Sequence, residues 1–67
     1  MDIRKKVGKN LKKFRKESGW SQEDLAFECD LHRTYISGIE RGIRNPTVVI
    51  INNIANALNI KPSQLLE

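Results

Sequence analysis

Sixty-seven residues can bury one small hydrophobic core, and a chain of this length folds with little margin unless metals, disulfides or a second subunit add stability. A composition of 39% hydrophobic, 30% charged and 6% aromatic residues is that of a globular domain, which argues against disorder and fibrous repeats, and no apolar run is long enough to cross a bilayer. The net charge of +4 is unevenly spread: eight of the twelve basic residues fall in the first sixteen positions, and five of the eight acids lie between Glu17 and Asp30.

A field polarised in this way suits a polyanion, although a lysine-rich helix face is equally compatible with simple solvation. The N-terminus lacks the apolar block and cleavage site of a signal peptide, so a cytoplasmic protein is expected, with no membrane partner. Cys29 stands alone and is expected to be a small core residue, because it has no partner for a disulfide or a zinc knuckle. The single histidine, His32, has no nucleophile or acid pair around it, and an enzyme, a small-molecule substrate, a metal and a cofactor are all unexpected.

Ile3, Val7, Leu11 and Phe14 recur at helical spacing and predict a first helix from about Asp2 to Ser18, closed by Gly19. Ser21 and Asp24 have capping-box spacing, and Trp20 with Leu25 forms a hydrophobic staple, so a second helix is expected over Gln22–Cys29, burying Leu25, Ala26 and Cys29. After the break at Asp30-Leu31-His32, a third helix is predicted over Arg33–Arg41 with His32 as N-cap. Its Ile36 and Ile39 would face inward, and Thr34, Ser37, Gly38 and Arg41 outward. Ile43 to Pro46 reads as a loop. A fourth helix follows, capped by Thr47 or starting at Asn45, with Ile50, Ile51, Ile54, Ala55 and Leu58 as its apolar band and Asn59 as its stop. Pro62 opens a short fifth helix ending in Leu65 and Leu66. The expectation is an all-α, compact five-helix domain spanning residues 1–67, without strands.

The informative unit is about residues 21–42: a short helix, a tight break, and a second short helix whose outer face is small and polar. That spacing fits a helix-turn-helix, in which the first helix crosses the phosphate backbone and the second enters the major groove of double-stranded DNA. Arg33, in the first turn of the second helix, can give two hydrogen bonds to a guanine edge, and Thr34 can offer a methyl group to thymine or a hydroxyl to phosphate. Gln22 can present its amide to a phosphate at a helix N-terminus. Tyr35 suits either a phosphate contact or a half-buried ring. Gly38 is unfavourable inside a helix, by about 1 kcal/mol against alanine, and suits either close approach of backbone to DNA or a tight helix crossing.

The ordered elements Ser21-Gln22-Glu23-Asp24-Leu25-Ala26, Ile36-Ser37-Gly38-Ile39-Glu40-Arg41-Gly42, Asn45-Pro46 and Ala55-Asn56-Ala57-Leu58 resemble the Cro and lambda-repressor-like helix-turn-helix (XRE) family across nearly the whole chain. The stretch from His32 to Gly42 is especially similar to restriction-modification controller proteins. The resemblance implies a transcriptional regulator binding operator half-sites as a dimer. It implies base reading by Arg33 and Thr34, phosphate contacts from Gln22, Tyr35 and Ser37, and an approach to DNA by Arg44 and Asn45. Gly38 and Arg41 complete the expected DNA-facing set. It also implies a structural ion pair between Arg15 and Glu40.

A prophage-type repressor or a DNA-binding antitoxin is the alternative, the antitoxin requiring an extension beyond the last helix to meet its toxin. Single-stranded RNA binding is disfavoured, because only four aromatic residues are present and two lie on apolar stripes. A homodimer is expected through Val49, Ile60, Leu65 and Leu66, unless the two leucines instead close the monomer core.

Overall fold

The computed structural model describes residues 2–67, and its elements follow local start and stop signals closely. Helix α1 spans Ile3–Glu17, α2 Gln22–Cys29, α3 Arg33–Glu40 and α4 Val48–Leu58, followed by a 3-10 turn at Pro62–Leu65. Among the described residues there are therefore four α-helices and a turn, where five helices were expected. The four residues from Pro62 to Leu65 make i→i+3 geometry only, with the Lys61 amide donating to Gln64 Oε1 at 2.8 Å, and never reach the length of a helix. No strand occurs among the described residues.

Each helix start has an identifiable cause. Asp2 is the N-cap of α1 rather than its first residue: its carboxylate accepts from the Arg4 amide at 3.0 Å and from the Arg4 side chain, which holds the Asp2 carboxyl below its ordinary range. At α2 both capping-box bonds form, the Asp24 amide donating to Ser21 Oγ and the Ser21 amide to the Asp24 carboxylate, each at 3.0 Å. Thr47 caps α4 by accepting from the Ile50 amide at 3.2 Å, which leaves Asn45 and Pro46 in the preceding loop. His32 occupies the N-cap position of α3 without a side-chain capping bond.

The core joins all the elements. Val7 and Leu11 of α1, Leu25 and Ala26 of α2, Ile36 and Ile39 of α3, and Ile51, Ile54, Ala55 and Leu58 of α4 are buried together with Leu65. Phe14, Cys29 and Ile50, expected inward, are only half-buried against this cluster, and Ile3, the first residue of α1, is 52% exposed. Burial, with Glu28 nearby, pushes the Cys29 thiol up.

Helix α1 packs on α3 at Gly8, where an added Cβ would lie 2.8 Å from the Glu40 carbonyl oxygen and closer still to that of Ile39. Only a residue without a side chain permits so close a crossing. Leu65 has no exposed surface, and its carbonyl accepts from Asn10 Nδ2 at 2.9 Å, so the turn is fastened to α1. Leu65 therefore closes the monomer core and is withdrawn from the expected dimer surface.

Candidate nucleic-acid interface

The α2–α3 unit is built around a short left-handed break. Asp30 takes φ +56° and the Leu31 amide returns to the Ala26 carbonyl at 2.8 Å, so the chain leaves α2 sharply and enters α3 through the extended His32. Ile36 and Ile39 have no exposed surface, which fixes the rotation of α3 about its axis. One side is locked inward, and the first turn is left to face solvent.

The C-terminal end of α3 is held by a polar clasp. Arg15 Nε donates to Glu40 Oε2 at 2.6 Å and Nη2 donates to Oε1 at 3.1 Å, a two-bond geometry that only a guanidinium provides. Arg15 Nη1 also donates to the Trp20 carbonyl at 2.7 Å, and Gln22 Nε2 donates to Glu40 Oε1 at 3.0 Å. With the Arg15 and Glu40 side chains 9% and 4% exposed, little water competes for these bonds. Helices α1, α2 and α3 thus meet at one carboxylate.

The other singled-out residues fall into two groups. Arg33, Thr34, Arg41, Arg44 and Asn45 are exposed, the first two in the opening turn of α3, Arg41 at its C-cap, and the last two in the loop that follows. Tyr35 and Ser37 are half-buried, and Gln22 is half-buried with its amide turned to Glu40. Gly38, expected on the outer face, is buried. The three atoms nearest to a Cβ at this position all belong to the Arg44 side chain, so neither bare backbone nor a second helix occupies the space above it.

Sequence reading passed over two contributors to this region. Gly8 sets the depth at which α1 crosses α3, and its signal was the same as that of Gly38: a glycine inside an otherwise helical pattern. The stem of Lys5 lies across the end of α3, where a Cβ on Gly42 would be 2.8 Å from Lys5 Cγ; this had no signal beyond membership of the basic run. The lysines at 5, 9, 12, 13 and 16 are exposed. Among the described residues no group of His, Cys, Asp and Glu has the arrangement of a metal site, and no helix is long and apolar enough to cross a membrane.

A family model described as Helix-turn-helix matches residues 11–65. The chain belongs to the helix-turn-helix family. Within it, the sequence is similar to Control protein C.BamHI of Bacillus amyloliquefaciens, 51% identical over an alignment of 67 residues, with 98% of this chain and 83% of that protein covered. Among solved structures of helix-turn-helix proteins, the fold is similar to the restriction-modification controller protein C.AhdI from Aeromonas hydrophila. That match has a TM-score of 0.89 at 45% identity and covers 92% of this chain and 94% of the other. The master regulator for biofilm formation SinR, solved in complex with DNA, matches with a TM-score of 0.87 at 31% identity, covering 91% of this chain and 98% of the other.

Proposed function

We propose that this protein is a transcriptional regulator, rather than an enzyme, and that it binds operator half-sites in double-stranded DNA as a homodimer in the cytoplasm. Its likeness to controller proteins supports a role in controlling a restriction-modification system. The observation that carries the reading is the two-sided construction of α3, with Ile36, Ile39 and Glu40 immobilised and Arg33 and Thr34 free at the leading turn. A major groove admits one helix, and a helix that enters N-terminus first presents its opening turn to the base edges.

In this reading Arg33 and Thr34 read bases, and Tyr35, Ser37, Arg41 and Asn45 lie against backbone or groove walls. Arg44 reaches the duplex from the loop. Gln22 keeps one amide hydrogen on Glu40 and offers the other to a phosphate at the start of α2, where the backbone amides also favour an anion. The exposed lysines of α1 add a sequence-independent attraction that weakens with salt.

The dimer surface proposed is the apolar side that the monomer leaves open. Val49 is 68% exposed and Leu66 48%, with the half-buried Ile60 nearby in sequence, and Val48, 84% exposed, joins Leu66 on a groove of about 220 Å³. Covering such side chains provides the stability that a short chain lacks.

Selection of bound sites from a random duplex library tests the function directly. The expected product is a pair of symmetric half-sites about one helical turn apart, with affinity that falls steeply as salt rises. Recovery of no common sequence would overturn site-specific binding, and a flat salt response would overturn phosphate contact.

A further inference from the structure

We propose that Gly38 is a positioning residue for Arg44, its missing side chain forming the seat that holds the Arg44 stem along α3 and aims the guanidinium at duplex DNA. The inference rests on the DNA-binding reading above and adds the means by which a loop residue acquires a fixed direction.

The seat begins with the chain reversal at the end of α3. Gly42 takes φ +76°, a conformation that side chains disfavour, and the turn it makes brings the amides of Ile43 and Arg44 onto one acceptor, the Gly38 carbonyl, at 3.0 and 3.2 Å. The backbone of Arg44 is therefore tied to residue 38 itself. From there the side chain runs back over the helix. A Cβ on residue 38 would lie 2.5 Å from Arg44 Cγ, a separation at which the stem must shift, and 3.5 Å, ordinary contact distance, from both Cδ and Nε. Further along, Arg44 Cζ stands 5.7 Å from the centre of the Tyr35 ring, in the range of a cation–π contact.

Residues 35 and 38 are neighbours on one helical face, so the Arg44 side chain lies lengthwise from the middle of α3 toward its leading turn. That is the direction of Arg33 and Thr34. An arginine held by its stem and by an aromatic ring loses less freedom when it binds than one that projects loosely from a loop, and its planar fork keeps its donors free. Gly38 contrasts with Gly8, whose missing Cβ makes room for backbone carbonyls and so for the fold itself. At position 38 an added methyl meets only a movable side chain, and the helix gains a better helix former.

The test is a double-mutant cycle of Gly38→Ala and Arg44→Ala on the selected duplex, with thermal unfolding and the Nε–Hε relaxation of Arg44 in the free protein. Gly38→Ala is expected to fold with an equal or higher melting temperature and to lose about tenfold in affinity, the scale of one arginine contact. The double variant is expected to bind no more weakly than Arg44→Ala alone. In the free wild type, Arg44 Nε–Hε should be more ordered than that of Arg33, and Gly38→Ala should abolish the difference.

Unchanged affinity of Gly38→Ala overturns the proposal, and a full further loss in the Arg44→Ala background overturns it in favour of direct contact between residue 38 and DNA. Equal mobility of Arg44 and Arg33 in the wild type overturns it without any DNA or any variant. That measurement decides the matter if Gly38→Ala fails to fold. If the wild type binds no duplex while Arg44 is ordered, the seat stands and the DNA-binding reading fails.

Discussion

On its inner side α3 carries Ile36 and Ile39, which have no exposed surface, and Glu40, whose carboxylate takes hydrogen bonds from α1 and from the start of α2. On its outer side, two and three residues before Ile36, Thr34 and Arg33 stand in solvent. Eight residues thus perform two tasks that pull in opposite directions. The inner side removes every degree of freedom from the helix, and the outer side must leave polar groups unsatisfied until a partner arrives. The difference teaches that rigidity and recognition are separable here by helix face, so substitutions should sort into those that change folding and those that change binding.

The largest effect is expected from the inner side. Ile36→Ala removes a fully buried side chain and leaves a cavity, at a cost of about 4 kcal/mol, in a chain whose total stability is on the order of 3–10 kcal/mol. Urea unfolding should show most of the protein's stability gone. A loss below about 1 kcal/mol would mean that α3 is not anchored by its apolar side. Glu40→Ala comes next, at about 3 kcal/mol, because it strands the Arg15 guanidinium with little water around it. Glu40→Gln keeps the shape and should lose less. If Glu40→Ala costs under about 1 kcal/mol, solvent already screens the pair and the clasp contributes only orientation.

That two-sidedness was partly legible in the sequence, and the limits follow from what a one-dimensional pattern contains. Ser21 with Asp24, Gly19, Thr47 and Asn59 act on their own neighbours, so the starts and stops of the helices could be read directly. The ends of α1 and α3 were read one residue too long. Asp2, Ser18 and Arg41 are caps, half inside the helix, and side-chain periodicity does not separate a cap from the residue beside it. Leu65 and Leu66 are adjacent, and nothing local says which turns inward; the Asn10 bond to the Leu65 carbonyl, from 55 positions away, supplies the answer. The burial of Gly38 had no local signal, since its cover arrives from Arg44, after a chain reversal. For the site, Arg33 and Thr34 were legible from the wheel of α3. The Arg15–Glu40 pair came only with family resemblance, because its members are 25 positions apart in the chain.

The outer side is tested by Arg33→Ala. Its side chain is exposed and packs into nothing that the core requires, so the unfolding midpoint should stay within error of the wild type. Affinity for the selected duplex is expected to fall by about 2 kcal/mol, with binding to unrelated sequence almost unchanged. Equal losses on all sequences would move Arg33 to the phosphate backbone, and a fall in the unfolding midpoint would breach the separation between the faces.

Gln22 lies on the boundary between the two sides, which makes its smaller effect the sharper test of where the boundary runs. Its Nε2 is bound to Glu40 Oε1 at 3.0 Å, yet the residue is only half-buried at the first position of α2. A primary amide has two hydrogens on that nitrogen, so donating one to the clasp leaves the other for a phosphate. Gln22→Ala is therefore expected to lower stability by about 1 kcal/mol through the lost bond. It should also weaken binding to all duplexes alike, the signature of a phosphate contact, and leave the salt slope unchanged because the amide carries no charge. A loss of stability with unchanged affinity of the folded protein would assign Gln22 to the inner side alone. In that case the inner set would reach the N-terminus of α2, and the phosphate there would have to be held by backbone amides.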